Sequence, residues 1–248
     1  YQKELGKLLR FESSKSEDKT PIPLADYVLR MNPDQEEIYY INGPSRAAIE
    51  AGPYVEMFKK KDIEIIYTME PIDDFVLSHL GEFDGKKLVS ADGADLSLGK
   101  DEEDDKQESS KEEVEKLDND ALSELNSWMQ KLLEKNISEV SISKRLVDAP
   151  AMIVNPDGHM SSSMERILAA SRKEQGIPGM ESSKKKLEIN PQNPLILKLA
   201  KLQKSDADFA GEVARQIHDN AMIQAGLIVD PLEMVERNYK ILGRVVES

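Results

Sequence analysis

One acidic stretch does most to limit what this chain can fold into. Residues 101–116, DEEDDKQESSKEEVEK, carry nine acids, three lysines and a single aliphatic side chain. So little apolar surface cannot offset the conformational entropy lost when a backbone is ordered. The stretch reads as an acidic linker or a helix start, and it parts the chain into residues 1–100 and 117–248. A length of 248 residues leaves each part room for its own core.

In the first part, strand and helix signals alternate. EIYYI (37–41) and IEIIY (63–67) are β-branched and aromatic runs of strand length, and KKLVSA adds a third. Between them lie LADYVLRM, the stretch PSRAAIEAGPYVEMFKKK broken at Gly52-Pro53, and PIDDFVLSHLGEF (71–83), all with helical patterns. Strands joined through helices predict a small α/β unit with parallel pairing.

The second part is helix-rich, with strands at SEVSISKRL, AMIVN and KLEIN. The alternation puts Val140, Ile142 and Leu146 on the buried side. In DNDALSELNSWMQKLLEK, the residues Leu122, Leu125, Met129 and Leu132 form a stripe flanked by Trp128 and Leu133. The chain closes with two helical patterns. The first places Phe209, Val213, Ile217 and Ala221 on one side and scatters small residues that permit close helix approach. The second opens with Asp230 as N-cap, Pro231 at the first helical position and Glu233 completing a capping box. Val235, Tyr239, Leu242 and Val246 then recur at helical spacing, widened by Met234, Ile241 and Val245. That hairpin has more apolar face than one partner covers. Either two copies pair as a four-helix bundle, or the hairpin packs on its own domain; the pattern leaves both open.

A further helix is signalled by HMSSSMERIL (159–168), where Ser162 and Glu165 favour initiation and Met160, Met164, Ile167 and Leu168 share a face. Periodicity defines that face without giving its destination, a core or an outside partner.

Chemical motifs are scarce. Acids total 47 against 33 Lys and Arg, a formal charge of −14, which argues against nucleic acid as a main partner. The lysines 184–186 lack aromatic interleaving and read as a solvated face. With no cysteine, disulfides, thiolate nucleophiles and cysteine zinc sites are excluded. His79, His159 and His218 are too scattered for a metal face, SLGKDEE lacks the rest of a phosphate loop, and no G-x-S-x-G elbow occurs. No apolar run approaches a membrane span. The opening, YQKELGKLLRFESS, has no signal-peptide h-region and starts inside a helical pattern, so a piece of a longer protein is expected.

Several strings together carry a resemblance: KLLRFESS, PYVEMFKKKDIEIIY, EPIDDFVLSHLGEFDGKKLVS, VSISKRLVDAPAMIV, SMERI, LEINPQNPLILKL and NAMIQAGLIVDPLEMVERNYKIL. In this order, and over nearly the whole chain, they resemble the C-terminal half of the ninety-kilodalton heat-shock protein chaperones, most closely the bacterial HtpG type and its mitochondrial relative. The resemblance implies a small α/β subdomain of the middle domain (1–100), the acidic linker or helix start (101–116), and an α+β dimerisation domain (117–248) ending in a helical hairpin. It implies a homodimeric chaperone fragment that binds non-native client proteins and is not itself an enzyme. ATP and Mg would belong to an N-terminal domain upstream, leaving no catalytic, cofactor or metal residue here. Client contact is implied for Met160, Met164, Ile167 and Leu168, and for Asp74, Phe75 and Ser78. Dimer contact is implied for Ala221, Met222, Ala225, Leu227, Met234, Tyr239 and Leu242. The ending RVVES lacks the acidic tail of eukaryotic cytosolic members, so co-chaperone capture through such a tail is not expected. A bacterial cytoplasm is the expected location, with the mitochondrial matrix as alternative, and neither nucleic acid nor membrane is an expected partner. Two other readings are a non-enzymatic dimeric scaffold with the 159–168 helix buried, and an enzyme whose site is unrecognised.

Overall fold

The computed structural model describes residues 2–93, 117–156, 184–227 and 230–247. The acidic stretch 101–116 and the helix expected at 159–168 lie outside the described residues. The described residues belong to two units, 2–93 and the remainder, each with a sheet of its own. Both mix α and β structure, as the alternating patterns imply.

The first unit runs α1 (Gln2–Gly6), β1 (Arg10–Ser13), β2 (Ile22–Pro23), α2 (Leu24–Arg30), β3 (Glu37–Asn42), α3 (Arg46–Glu50), α4 (Glu56–Lys60), β4 (Ile66–Thr68), α5 (Pro71–Leu80), β5 (Glu82–Phe83) and β6 (Lys86–Ser90). The sheet order is β2-β1-β4-β3-β6-β5, with β3 parallel to both β4 and β6 and the other pairs antiparallel. A central strand covered on both faces must be apolar throughout. β3 meets that demand with Ile38, Tyr39, Tyr40 and Ile41 all buried. Ile38 and Tyr40 join Leu24 and Tyr27 of α2 and Leu77 of α5 in one cluster. Tyr39 meets Phe58 of α4 edge-to-face, with ring centroids 5.1 Å apart.

The 44–61 pattern breaks at Gly52-Pro53 as read, into α3, a 3-10 turn at Pro53–Val55 and α4, because Pro53 has no amide proton to continue a helix. Two other boundaries differ from the sequence reading, each for a local reason. The 71–83 helix stops at Leu80, where Gly81 takes φ +68° and its N–H closes the last turn on Leu77 O at 3.0 Å. The remaining residues form the β5–β6 hairpin through Asp84 (φ +50°) and Gly85 (φ +76°), the two positive values such a tight turn requires. Strand 63–67 shortens to β4, although Ile65 still pairs through its carbonyl with Ser14 N at 2.9 Å.

The second unit contains α6 (Asn119–Leu132), β7 (Ile137–Ile142), β8 (Ala151–Val154), β9 (Lys185–Ile189), α7 (Pro194–Ser205), α8 (Ala207–Gln224) and α9 (Pro231–Glu247). β9 lies between β7, which is parallel to it, and β8, which is antiparallel. Asp118 caps α6 by accepting from Ala121 N at 2.7 Å. Leu122, Leu125, Met129 and Leu133 are buried, while Leu132, expected in the stripe, is half-buried. The β7 alternation also departs from expectation. A bulge between Ile137 and Glu139 shifts the register, so Ile137 and Val140, three residues apart, are both buried. Leu146 is buried too, while Ile142, the last residue of β7, is 41% exposed. Asn193 caps α7 ahead of Pro194, and Asp206 caps α8 by accepting from Phe209 N. α8 lies against β8 and α7 with Ala210, Ala214, Ile217 and Ala221 inward.

Candidate interaction surfaces

Two helices present side chains that a partner could use, and they are built in opposite ways. α5 is anchored by Leu77, which is fully buried in the first unit's core, and by Pro71 at its first position. Its outer side shows Ile72, Phe75 at 37% exposure, Ser78 and His79. The Phe75 ring lies over His79, centroids 3.8 Å apart, and the His79 ring nitrogen Nδ1 sits 2.9 Å from Phe75 O. Ser78 Oγ donates to the same carbonyl at 2.9 Å, so both polar neighbours point back into the helix.

Asp74 departs from the expectation of an outward polar neighbour. It is 2% exposed and lies under the surface, on the side of Tyr40. Burial, reinforced by the Asp74 and Asp92 charges, pushes the Tyr40 phenol far up. Sequence could not foresee this, because Asp73 and Asp74 are adjacent and only the rotation of α5 decides which one turns inward. Burial also raises the Asp73 carboxyl.

α9 packs on α8 along a polar line. Arg237, the buried residue of α9, donates from Nη1 to Asp219 Oδ2, and its Nε lies 3.6 Å from Glu212 Oε2. Lys240 Nζ approaches Glu212 at 3.7 Å, and Arg244 pairs with Asp206 while its guanidinium sits 5.0 Å from the Phe209 ring centroid. Asp219 also meets His218 Nδ1 at 2.9 Å. Burial would raise the Asp219 carboxyl, but its bonds to His218 and Arg237 prevail and hold it below the ordinary carboxylate value.

This line fixes which side of α9 faces outward. Leu232, Val235, Tyr239 (72% exposed), Leu242 (57% exposed), Val245 and Val246 all lie on the side away from α8. Met234 and Ile241 are half-buried beside the polar line. Of the other residues expected at a dimer contact, Ala221 and Ala225 are buried within their own unit, and Met222 and Leu227 are half-buried. Leu232 went unread in the sequence although its spacing of three before Val235 places it in the stripe. Arg237 and Asp219 could not have been found, since their pairing depends on how two helices are rotated against each other. Met160, Met164, Ile167 and Leu168 lie outside the described residues. Among the described residues no group of His, Asp or Glu could hold a metal ion, and no helix is long and apolar enough to cross a membrane.

The Hsp90 protein family model matches residues 1–247. This chain belongs to the Hsp90 family. It is 71% identical over 246 residues to "Chaperone protein HtpG" of Desulfotalea psychrophila, covering 99% of this chain and 39% of that protein. The HtpG chaperone of Desulfitobacterium hafniense is 44% identical over 247 residues, again 99% of this chain and 38% of the relative. A more distant relative, "TNF receptor-associated protein 1 homolog, mitochondrial" of Dictyostelium discoideum, is 34% identical over 251 residues, 99% of this chain and 33% of its own length. This Hsp90-family chain thus spans about two-fifths or less of the relatives it matches.

Proposed function

We propose that this chain is the dimerising, client-binding C-terminal part of an HtpG-type chaperone. The observation that carries the reading is the outward stripe on α9. Its 17-residue helix holds itself to α8 through charged side chains and leaves its apolar side chains in water. A stripe of this kind, about 25 Å long at 1.5 Å per residue, suits a second copy of itself. Two hairpins crossing on a two-fold axis would make a four-helix bundle with Leu232, Val235, Tyr239, Leu242 and Val246 at its centre. Met222, Leu227 and Met234 would lie at its rim, and Ala221 and Ala225 would support it from inside.

Client contact is assigned to the outer side of α5, Ile72, Phe75 and Ser78, with Asp74 setting the helix from beneath. It is assigned equally to Met160, Met164, Ile167 and Leu168. Flexible, polarizable methionines suit a surface that accepts many non-native chains. ATP and Mg chemistry is placed in a different part of the full-length protein, so this portion alone is proposed to turn over no nucleotide. The two bacterial relatives support a cytoplasmic location; the mitochondrial relative is more distant, so the matrix remains the alternative.

Sedimentation equilibrium of the chain tests the pairing: a concentration-dependent dimer is expected, and a monomer at micromolar concentration overturns it. A dye that reports exposed apolar surface tests the methionine face, with less binding expected in Met164→Glu. If Met164→Glu unfolds the protein and the wild type binds no dye, that face is buried and the chain is a dimeric scaffold.

A further inference from the structure

The sequence holds one Asn-Gly pair, Asn42-Gly43, at the carboxyl end of the central strand β3. In an unfolded chain this pair is the most labile amide in proteins, because glycine offers no side chain to hinder attack by its own backbone nitrogen. Gly43 N attacks Asn42 Cγ, forming a C–N bond. The Asn42 Nδ2 leaves as ammonia, and the Gly43 amide proton is lost in the same exchange. Water then opens the five-membered imide to aspartate or isoaspartate. The sum is amide plus water giving acid plus ammonia, with no oxidant or reductant.

Here both reacting groups are restrained. Gly43 N donates to Thr68 O at 3.0 Å, which holds the proton that must leave. Asn42 Nδ2 donates to Thr68 O at 3.2 Å, Thr68 Oγ1 at 3.1 Å and Glu70 O at 3.0 Å, which keeps the side chain away from its own backbone. The glycine cannot readily be replaced to remove the hazard. A Cβ at position 43 would lie 2.6 Å from Cγ1 of Ile49, a buried side chain.

The acceptors around Asn42 determine the consequence. Thr68 Oγ1 donates its own proton to Ile41 O at 3.2 Å, so it meets Asn42 as an acceptor. Thr68 O and Glu70 O are carbonyls. A carboxylate at position 42 would therefore face two carbonyls that cannot donate, and Thr68 Oγ1 could turn its proton toward it only by giving up Ile41 O, which costs more than an empty position. Glu70 is the N-cap of α5, and its carbonyl also accepts from Asp73 N at 3.0 Å. Asn42 thus ties the ends of β3 and β4 to the first turn of α5.

We propose that Asn42-Gly43 is a modification site at which self-deamidation is blocked by the folded strand end and, once it has occurred, releases the first turn of α5. The reaction is then gated by opening of the β3–β4 end and records such openings irreversibly.

The wild-type chain, native and urea-unfolded, is incubated at mildly alkaline pH, digested, and its residue-42 peptide resolved into Asn, Asp and isoaspartate forms. The native chain should react slower by about tenfold or more, the factor set by the opening equilibrium. Equal rates would overturn the gate. Hydrogen exchange of Asn42→Asp and Asn42→Ala covers the consequence. Asn42→Asp should exchange faster than Asn42→Ala at the first turn of α5, with α2 unchanged, or should fail to fold where Asn42→Ala folds. Asn42→Asp indistinguishable from wild type, or from Asn42→Ala, would overturn it.

Discussion

α5 and α9 are both amphipathic helices of one chain, yet they use their apolar sides in opposite directions. α5 turns Leu77 into the core and leaves a small, interrupted outer patch at Ile72 and Phe75. α9 turns Arg237 inward and leaves Leu232, Val235, Tyr239, Leu242 and Val246 outward. A helix normally buries its apolar stripe against its own domain because that burial supplies most of its stability. α9 departs from that pattern, and the proposed dimer would bury its exposed stripe on a second copy. The contrast teaches where each helix's stability comes from: α5 draws it from this chain, and under the proposed pairing α9 would draw it from a partner.

Leu242→Glu breaks the comparison most severely. On a two-fold axis each substitution counts twice, and two carboxylates in an apolar seam cost together on the order of 5 kcal/mol or more. The expected result is a monomer by sedimentation, with both units still folded by circular dichroism. An undiminished dimer would show that the stripe is not the seam.

Leu77→Ala is the matching cut in α5, and it should act on stability rather than assembly. Removing a fully buried leucine costs about 2–5 kcal/mol, depending on how far the site collapses. The first unit should melt earlier while the dimer persists. A variant that lost the dimer without losing its melting temperature would reverse the assignment.

Arg237→Met probes the line that keeps α9's apolar side outward. Losing a charge-assisted bond to a largely buried carboxylate costs about 1–3 kcal/mol. The expected result is faster hydrogen exchange along α9 and a weaker dimer, with exchange in α6 and β8 unchanged. Acid should do the same more gently. The Asp219 carboxyl is lowered in the folded chain, so its contribution is complete above the ordinary carboxylate value near 3.9 and is lost as pH falls through the folded value. Exchange of α9 should therefore accelerate with acidification in the wild type and less in Arg237→Met, where His218 still lowers the carboxyl but the Arg237 bond that ties it to α9 is gone. An equal response in both would separate Asp219 from the holding of α9.

What could be read in the sequence follows the same division. The continuous apolar run of β3, the capped start of α9 and its stripe were legible because each depends on residues close in sequence. The inward turn of Asp74 was not, since it needs the angle at which α5 meets β3. Nor was the use of Ala210, Ala214 and Ala221 inside the second unit: small residues signal close approach without naming the neighbour. The burial of both Ile137 and Val140, three apart in β7, followed from a bulge that periodicity cannot carry, because one extra residue changes the face of all that follow. The hairpin's excess apolar face left two readings open, the family resemblance favoured the outward one, and the Arg237–Asp219 pairing gives it a physical cause.

Phe75→Ser is the gentlest cut and the one that sharpens the α5 side. The ring is 37% exposed and already stacked on His79, so its loss should move stability within about 0.5–1 kcal/mol. Dimerisation should not change at all, because Phe75 belongs to the first unit. What should fall is the capacity to hold an unfolded protein in solution, measured as suppression of aggregation by the chain, and by a few-fold, on the order of 1 kcal/mol for one half-exposed aromatic contact. Phe75→Leu, which restores apolar area without the aromatic ring, separates two causes. Recovery would mean that α5 offers bulk apolar surface. No recovery would mean that the ring and its stack on His79 matter. If Phe75→Ser holds unfolded protein as well as the wild type does, the outer side of α5 is ordinary surface, and the proposed client contact rests on the methionine face alone.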